Sequence, residues 1–162
     1  MSVSAYLTIK GAKQGVIKGD VTDKENKERD GTIALTSVSF QIETPIDPAS
    51  GTTTGKRQHQ PIAITKLIDQ ATPRLYEALF NNETLTVTIA FWGPLKGGGD
   101  KQYLTIMLEN AIIAGAAFNS PESQDPATAA PYEKVQLAYQ KITLTWIDGG
   151  ITAQDSWKSP IS

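Results

Sequence analysis

A mainly β fold, an antiparallel β-barrel carrying one short α-helix, is what the sequence predicts. Three observations carry that reading: apolar and polar residues alternate over several segments, two longer segments change phase midway, and a single stretch has helical spacing. The first strand is expected where Val3, Ala5, Leu7 and Ile9 alternate with Ser4, Tyr6, Thr8 and Lys10. A second follows Val38, Phe40 and Ile42, and a third Leu85, Val87, Ile89 and Phe91. Period two puts each apolar set on one face, and that face must be covered by another layer or closed on itself. Leu104, Ile106 and Leu108 share a face that Ile113, beyond Asn110, does not. Likewise Val135, Leu137 and Tyr139 give way to Ile142, Leu144 and Trp146. A period-two register slips by one only at a bulge or bend, and small closed barrels turn their corners that way.

The helix is expected from Thr72, read as its N-cap, and Pro73 at the first helical position. Leu75, Ala78 and Leu79 make its apolar stripe, and Asn81-Asn82 its stop. So short a helix does not stand alone in water and must dock on the mouth or flank of the barrel. Four connections stand out. Residues 19–31 are densely charged, and 45–61 form a long arm with Gly51-Thr-Thr-Thr-Gly55 at its centre. Lys96-Gly-Gly-Gly-Asp100 is a tight turn, and 120–131 contain three prolines. Loops of this length are usually functional or ordered by a partner.

Composition narrows the chemistry. The 162 residues are read as one domain, with no internal repeat. Fifteen Lys and Arg against seventeen Asp and Glu give a net charge of -2, which offers nucleic acid no positive field. Cysteine is absent, which excludes thiol nucleophiles, Cys-ligated metal and disulfides. No apolar run reaches the ~20 residues of a membrane-spanning helix, and the N-terminus lacks the basic and apolar regions of a general secretory signal.

Partial motifs read better as scaffold. Gly51 to Arg57 has three residues between its glycines where a phosphate-binding loop has four, Arg57 where Ser or Thr is required, and a strand next where a helix belongs. The carboxylates of Asp20, Asp23, Glu25, Glu28 and Asp30 are interleaved with Lys24, Lys27 and Arg29 and lack calcium-loop spacing, so a solvated charged turn is expected. His59, the one imidazole, lies in the run Lys56-Arg57-Gln58-His59-Gln60 without a nucleophile elbow, and an interface or structural role is expected of it. Trp92, Trp146 and Trp157 read as core or interface. No catalytic, cofactor-binding or metal-ligating set emerges, which favours a structural or binding role.

The stretch Ile64-Thr-Lys-Leu-Ile-Asp-Gln-Ala-Thr-Pro-Arg-Leu75 resembles the haemolysin-coregulated protein (Hcp) family, the tube component of the bacterial type VI secretion system. The basic, His-containing lead-in Gly55 to Pro61 is similar to that family's. Tyr6 to Gly11, the strand opening at Tyr103 and Tyr132 to Trp146 also resemble its strands, in order, so the resemblance spans nearly the whole of 1–162. The 120–131 loop and the tail after Trp146 carry no hallmark of it. The resemblance implies hexameric rings that stack into a hollow tube, propelled out of the cell by a contracting sheath and carrying small effectors in its lumen. The implied partners are further copies of the chain, the tip, sheath and baseplate proteins, and effectors. The protein would be cytoplasmic before firing and extracellular afterwards. A phage-type tail tube protein and a monomeric β-barrel ligand-binding module are the alternatives. For subunit contacts, Lys56, Arg57 and His59 on the arm are expected to meet Asp20, Glu25 and Asp30 of another copy, fixing register more than adding affinity.

Overall fold

The computed structural model describes residues 4–122, 125 and 130–157. Val3 and half of the proline-containing loop, Pro126 included, therefore lie outside the described residues. The strands are β1 (Ser4–Gly11), β2 (Gly15–Ile17), β3 (Ile33–Leu35), β4 (Ser37–Ser39), β5 (Ile42–Glu43), β6 (Gln58–His59) and β7 (Ile62–Leu67). After helix α1 (Thr72–Phe80) come β8 (Leu85–Pro94), β9 (Asp100–Asn119), β10 (Tyr132–Ala138), β11 (Lys141–Trp146) and β12 (Ile151–Ser156).

Pairing is antiparallel throughout, in the order β2-β1-β8-β9-β10-β7-β4. β11 joins β9, β12 joins β11, and β3 joins β1. The spine is the 20-residue β9. Its first half pairs with β8 and β11, its second with β10. The two halves meet at Asn110, whose φ of 49° lies in the left-handed region that Asn tolerates. There the register against β8 jumps from Leu85↔Ala111 to Val87↔Leu108. The expected phase slip is thus a β-bulge, after which Ala111 and Ile113 turn to the core. The second expected slip is a break: the ladder is interrupted at Tyr139 and Gln140, and the chain continues in the same direction from the far half of β9 onto its near half as β11.

The sheet does not close into the expected barrel. Residues 33–39 change partner midway: β3 pairs with β1, β4 pairs with β7, and Thr36 between them donates its N–H to the Thr65 carbonyl. The ladder is handed from one edge to another there, and among the described residues β2, β3, β4 and β12 have one ladder partner each. The expected strand through Val38, Phe40 and Ile42 is likewise split into β4 and β5, leaving Phe40 exposed.

The two sides of the bent sheet enclose one apolar core. Leu7, Ile9, Ile64, Ile89, Leu108 and Leu137 are completely buried. Each such side chain contributes about 1.5–3 kcal/mol relative to leaving it in water. α1 lies against β9 with Leu75 and Ala78 inward. Its N-cap is Ala71, one residue before the expected Thr72. Thr72 is committed to the interior, no side chain caps the first turn, and the Asp69 carboxylate holds the entry to the helix by accepting the Ala71 N–H at 2.9 Å. Asn82, with φ 48°, follows the helix at the expected stop.

The stretch that carried the resemblance builds the polar centre of the core. Lys66 is wholly buried, and its Nζ donates to Glu133 Oε2 (3.0 Å), Thr72 Oγ1 (3.3 Å) and the Leu67 carbonyl (2.9 Å), and lies 2.9 Å from Asp69 Oδ1. Thr72 Oγ1 donates to Glu133 at 2.5 Å. A buried ammonium is stable only with such partners, so Thr65-Lys-x-Ile-Asp-x-x-Thr-Pro73 ties β7, the start of α1 and β10 together.

Candidate assembly surfaces

The arm is a hairpin. Its limbs pair as β5 and β6, Ile42↔His59 and Glu43↔Gln58, and a further bridge joins Ile46 to Thr53. Asp47 shapes the tip: its carboxylate accepts the Ala49 N–H at 3.0 Å and the Ser50 hydroxyl at 3.1 Å, while its carbonyl accepts the Gly51 N–H at 2.7 Å. Residues 48–56 are exposed throughout.

Two of the predicted site residues meet at the arm's root around a residue not anticipated. Asp155 of β12 accepts Arg57 Nε at 2.9 Å through Oδ2 and Arg57 Nη2 at 3.1 Å through Oδ1. The same Oδ2 lies 2.9 Å from His59 Nε2. A carboxylate only accepts, so Nε2 carries hydrogen, and in the neutral ring Nδ1 accepts the Tyr139 hydroxyl at 2.7 Å. Burial, with the Asp155 charge, pushes the Tyr139 hydroxyl up to about 12, which keeps its proton in place. Trp157 stacks on the His59 ring with centroids 5.7 Å apart, and Tyr139 meets both rings edge-on. The His59 side chain is fully buried against its own chain, so any effect on an interface passes through the arm it anchors.

Lys56 is exposed on the arm. Asp20, Glu25 and Asp30 are exposed on the charged loop, where Asp30 Oδ1 accepts the Asp23 N–H at 3.0 Å and Asp20 Oδ1 accepts the Gln70 N–H at 3.4 Å. This loop is no loose solvated turn. Asp23 accepts the N–H groups of Glu25 and Asn26 at 3.0 Å and lies 2.7 Å from Arg29. The Asn26 amide, then the Arg29 guanidinium, lowers its carboxyl to about 2. Arg29 extends to Asp100 and lies over the rings of Tyr6 (5.2 Å) and Trp92 (4.7 Å), clamping the loop to β1 and β8.

The remaining surface exposes strand edges and large apolar side chains. β2 and β12 present backbone edges, with Val16 56% and Ile151 67% exposed on them. Phe80, at the end of α1, is 75% exposed. Among the described residues no group of three or more His, Asp or Glu is placed to hold a metal ion, and no helix is long and apolar enough to cross a membrane.

Comparison with known proteins fits this architecture. Residues 6–146 match the family model described as type VI secretion system effector, Hcp. The chain belongs to the Hcp family. Its function is that of a secreted structural tube protein of type VI secretion. It is 34% identical to the "Major exported protein" of Pseudomonas aeruginosa, over all of this chain and 99% of that one. It superimposes on the Hcp1 protein of the E. coli EAEC 042 pathovar with a TM-score of 0.83 at 29% identity, covering 96% of this chain and 99% of that one. Secreted protein Hcp3 of P. aeruginosa gives a TM-score of 0.74 at 28% identity, covering 98% and 100%.

Asp155 escaped the sequence reading because the tail after Trp146 carried no motif, whereas Tyr139 was expected only as part of an apolar strand face and Trp157 only as core or interface packing. The one signal available was the Gly149-Gly150 turn ahead of a polar segment, which here returns as β12.

Proposed function

We propose that six copies of this chain close into a ring and that rings stack head to tail into the tube, with the exposed arm reaching between rings. Membership of the Hcp family carries this reading, and the open edges β2 and β12 with the projecting arm support it. A closed ring needs two different, complementary patches on each copy, whereas stacking needs a contact that does not close. On this reading the chain acts by shape and not by catalysis. Small effectors ride in the lumen, and the tip, sheath and baseplate proteins are its further partners. The protein folds in the cytoplasm and leaves the cell when the sheath contracts.

Lys56 is the arm's outward cation, whereas Arg57 is held by Asp155 of its own chain. Lys56 therefore meets the acidic loop bearing Asp20, Glu25 and Asp30 on another copy, and the more ordered that loop, the better it sets register. Replacing Lys56 with Glu is expected to leave rings intact and shorten stacks in negative-stain images. Stacks of parental length from Lys56→Glu would overturn the pairing. Small featureless particles from the parent protein would overturn the assembly itself.

A further inference from the structure

The arm is ordered within itself yet weakly rooted. β5 and β6 contribute two residues each, supplemented by the Gln60 N–H donating to the Gln41 carbonyl at 3.2 Å. A ladder so short does little to aim a hairpin whose tip is exposed from 48 to 56. The constraint that does so comes from the far end of the sequence. Asp155 on β12 takes both arms of the Arg57 guanidinium and the His59 ring, closing contacts across 98 and 96 residues of chain. The bidentate guanidinium–carboxylate pair fixes orientation as well as distance. The His59 ring adds a second point of attachment on the same limb, wedged between Tyr139 and Trp157. Among the described residues β12 pairs only with β11, so the pin fastens the arm to an edge of the sheet and not to its centre.

We propose that Asp155 is a positioning residue for ring stacking: it pins the returning limb of the arm to the edge strand β12 and so sets the direction in which the arm projects. The proposal rests on the reading that this arm makes the contact between rings. It separates two steps of assembly, because losing the pin releases the arm while leaving the core, and with it the ring, in place.

Asp155→Asn tests this, since Asn keeps the shape and an accepting oxygen but removes the charge. Hydrogen exchange and light scattering are measured on the assembled protein, and stacking is counted in images at high protein concentration. Amides at the arm's root, residues 57–60, are expected to exchange roughly tenfold faster or more, with β8 and β9 unchanged. Ring mass is expected to stay parental while the stacked fraction falls. Arg57→Lys, which keeps the charge but loses the bidentate geometry, is expected to fall between parent and Asp155→Asn. Unchanged exchange at the root overturns the pin, and acceleration through β8 and β9 as well makes Asp155 a general stabiliser and overturns the proposal. Loosened root amides with parental stacking, or a parent whose rings never stack, overturn the stacking role. A parent that forms no rings overturns the assembly reading instead, which keeps the two failures distinct.

Discussion

At the scale of single residues, buried carboxylates hold connections that apolar contacts do not reach. Glu83 is almost fully buried and accepts the Lys13 and Gln14 N–H groups at 3.0 and 2.9 Å, closing the β1–β2 turn onto the segment between α1 and β8. Those bonds, the Gln14 amide foremost, hold its carboxyl below the ordinary range. Gly11 makes room for it, because a Cβ there would sit 2.0 Å from Glu83 Oε2. Gly11→Ala is therefore expected to displace the carboxylate and cost about 1–3 kcal/mol in urea denaturation. Asp23 gives a prediction in pH. Its folded value near 2 lies below the ordinary 3.8, so its stabilisation is complete above about pH 4 and drains away as pH falls toward 2. Asp23→Asn is expected to flatten that part of the acid limb in thermal melts between pH 2 and 5, and a limb of parental slope would contradict it. The acidity of this loop was plain in the sequence. Its order was not, because that depends on Arg29 finding Tyr6 and Trp92, partners set by the tertiary fold. Asp155 was hidden for the same reason: one carboxylate in an unremarkable tail, whose partners lie almost a hundred residues away.

At the scale of elements, period-two alternation found β1, β8 and both halves of β9, because in each the fully buried positions fall on one face while the other stays half-buried or exposed. The slip at Asn110 was legible as a bulge since a register change must appear in the pattern of apolar residues. The short pieces were less legible: Ile42 of β5 was expected in one longer strand with Val38 and Phe40, β6 is two residues long, and β12 has no fully buried residue to distinguish it from loop. The arm, a polar segment around Gly51 and Gly55, is a hairpin whose paired positions, Ile42↔His59 and Glu43↔Gln58, no alternation marks. The barrel was inferred from curvature signals that the bent sheet also produces, and pairing at Thr36, where closure fails, leaves no trace in hydropathy. The link between β7 and α1 is tested through its ion pair. Lys66→Met leaves Glu133 buried without its cation and is expected to cost about 3–5 kcal/mol in chemical denaturation. Adding Glu133→Leu removes the stranded charge and is expected to recover most of that loss. A double variant no better than the single would show that shape, and not charge balance, governs the site.

At the scale of the whole molecule, the chain buries its chemistry and exposes its geometry. The buried ionisable groups are spent on structure: Lys66 and Glu133 on the core, Glu83 on a turn, His59 on the arm. What faces outward is open strand edges such as β2 and β12, scattered large apolar side chains and a self-ordered arm with a cation near its base. Membership of the Hcp family was legible because the most specific stretch of sequence encodes the buried polar tie, whose partners must all be kept together. The proposed contacts between copies rest on exposed residues such as Lys56, which packing inside the chain does not constrain. The account stands on association of identical chains. The most direct measurement is the mass of the purified protein in solution by light scattering. A discrete species of six times the 17.5 kDa subunit mass is the result the account predicts. A species that remains at 17.5 kDa as concentration rises would contradict it.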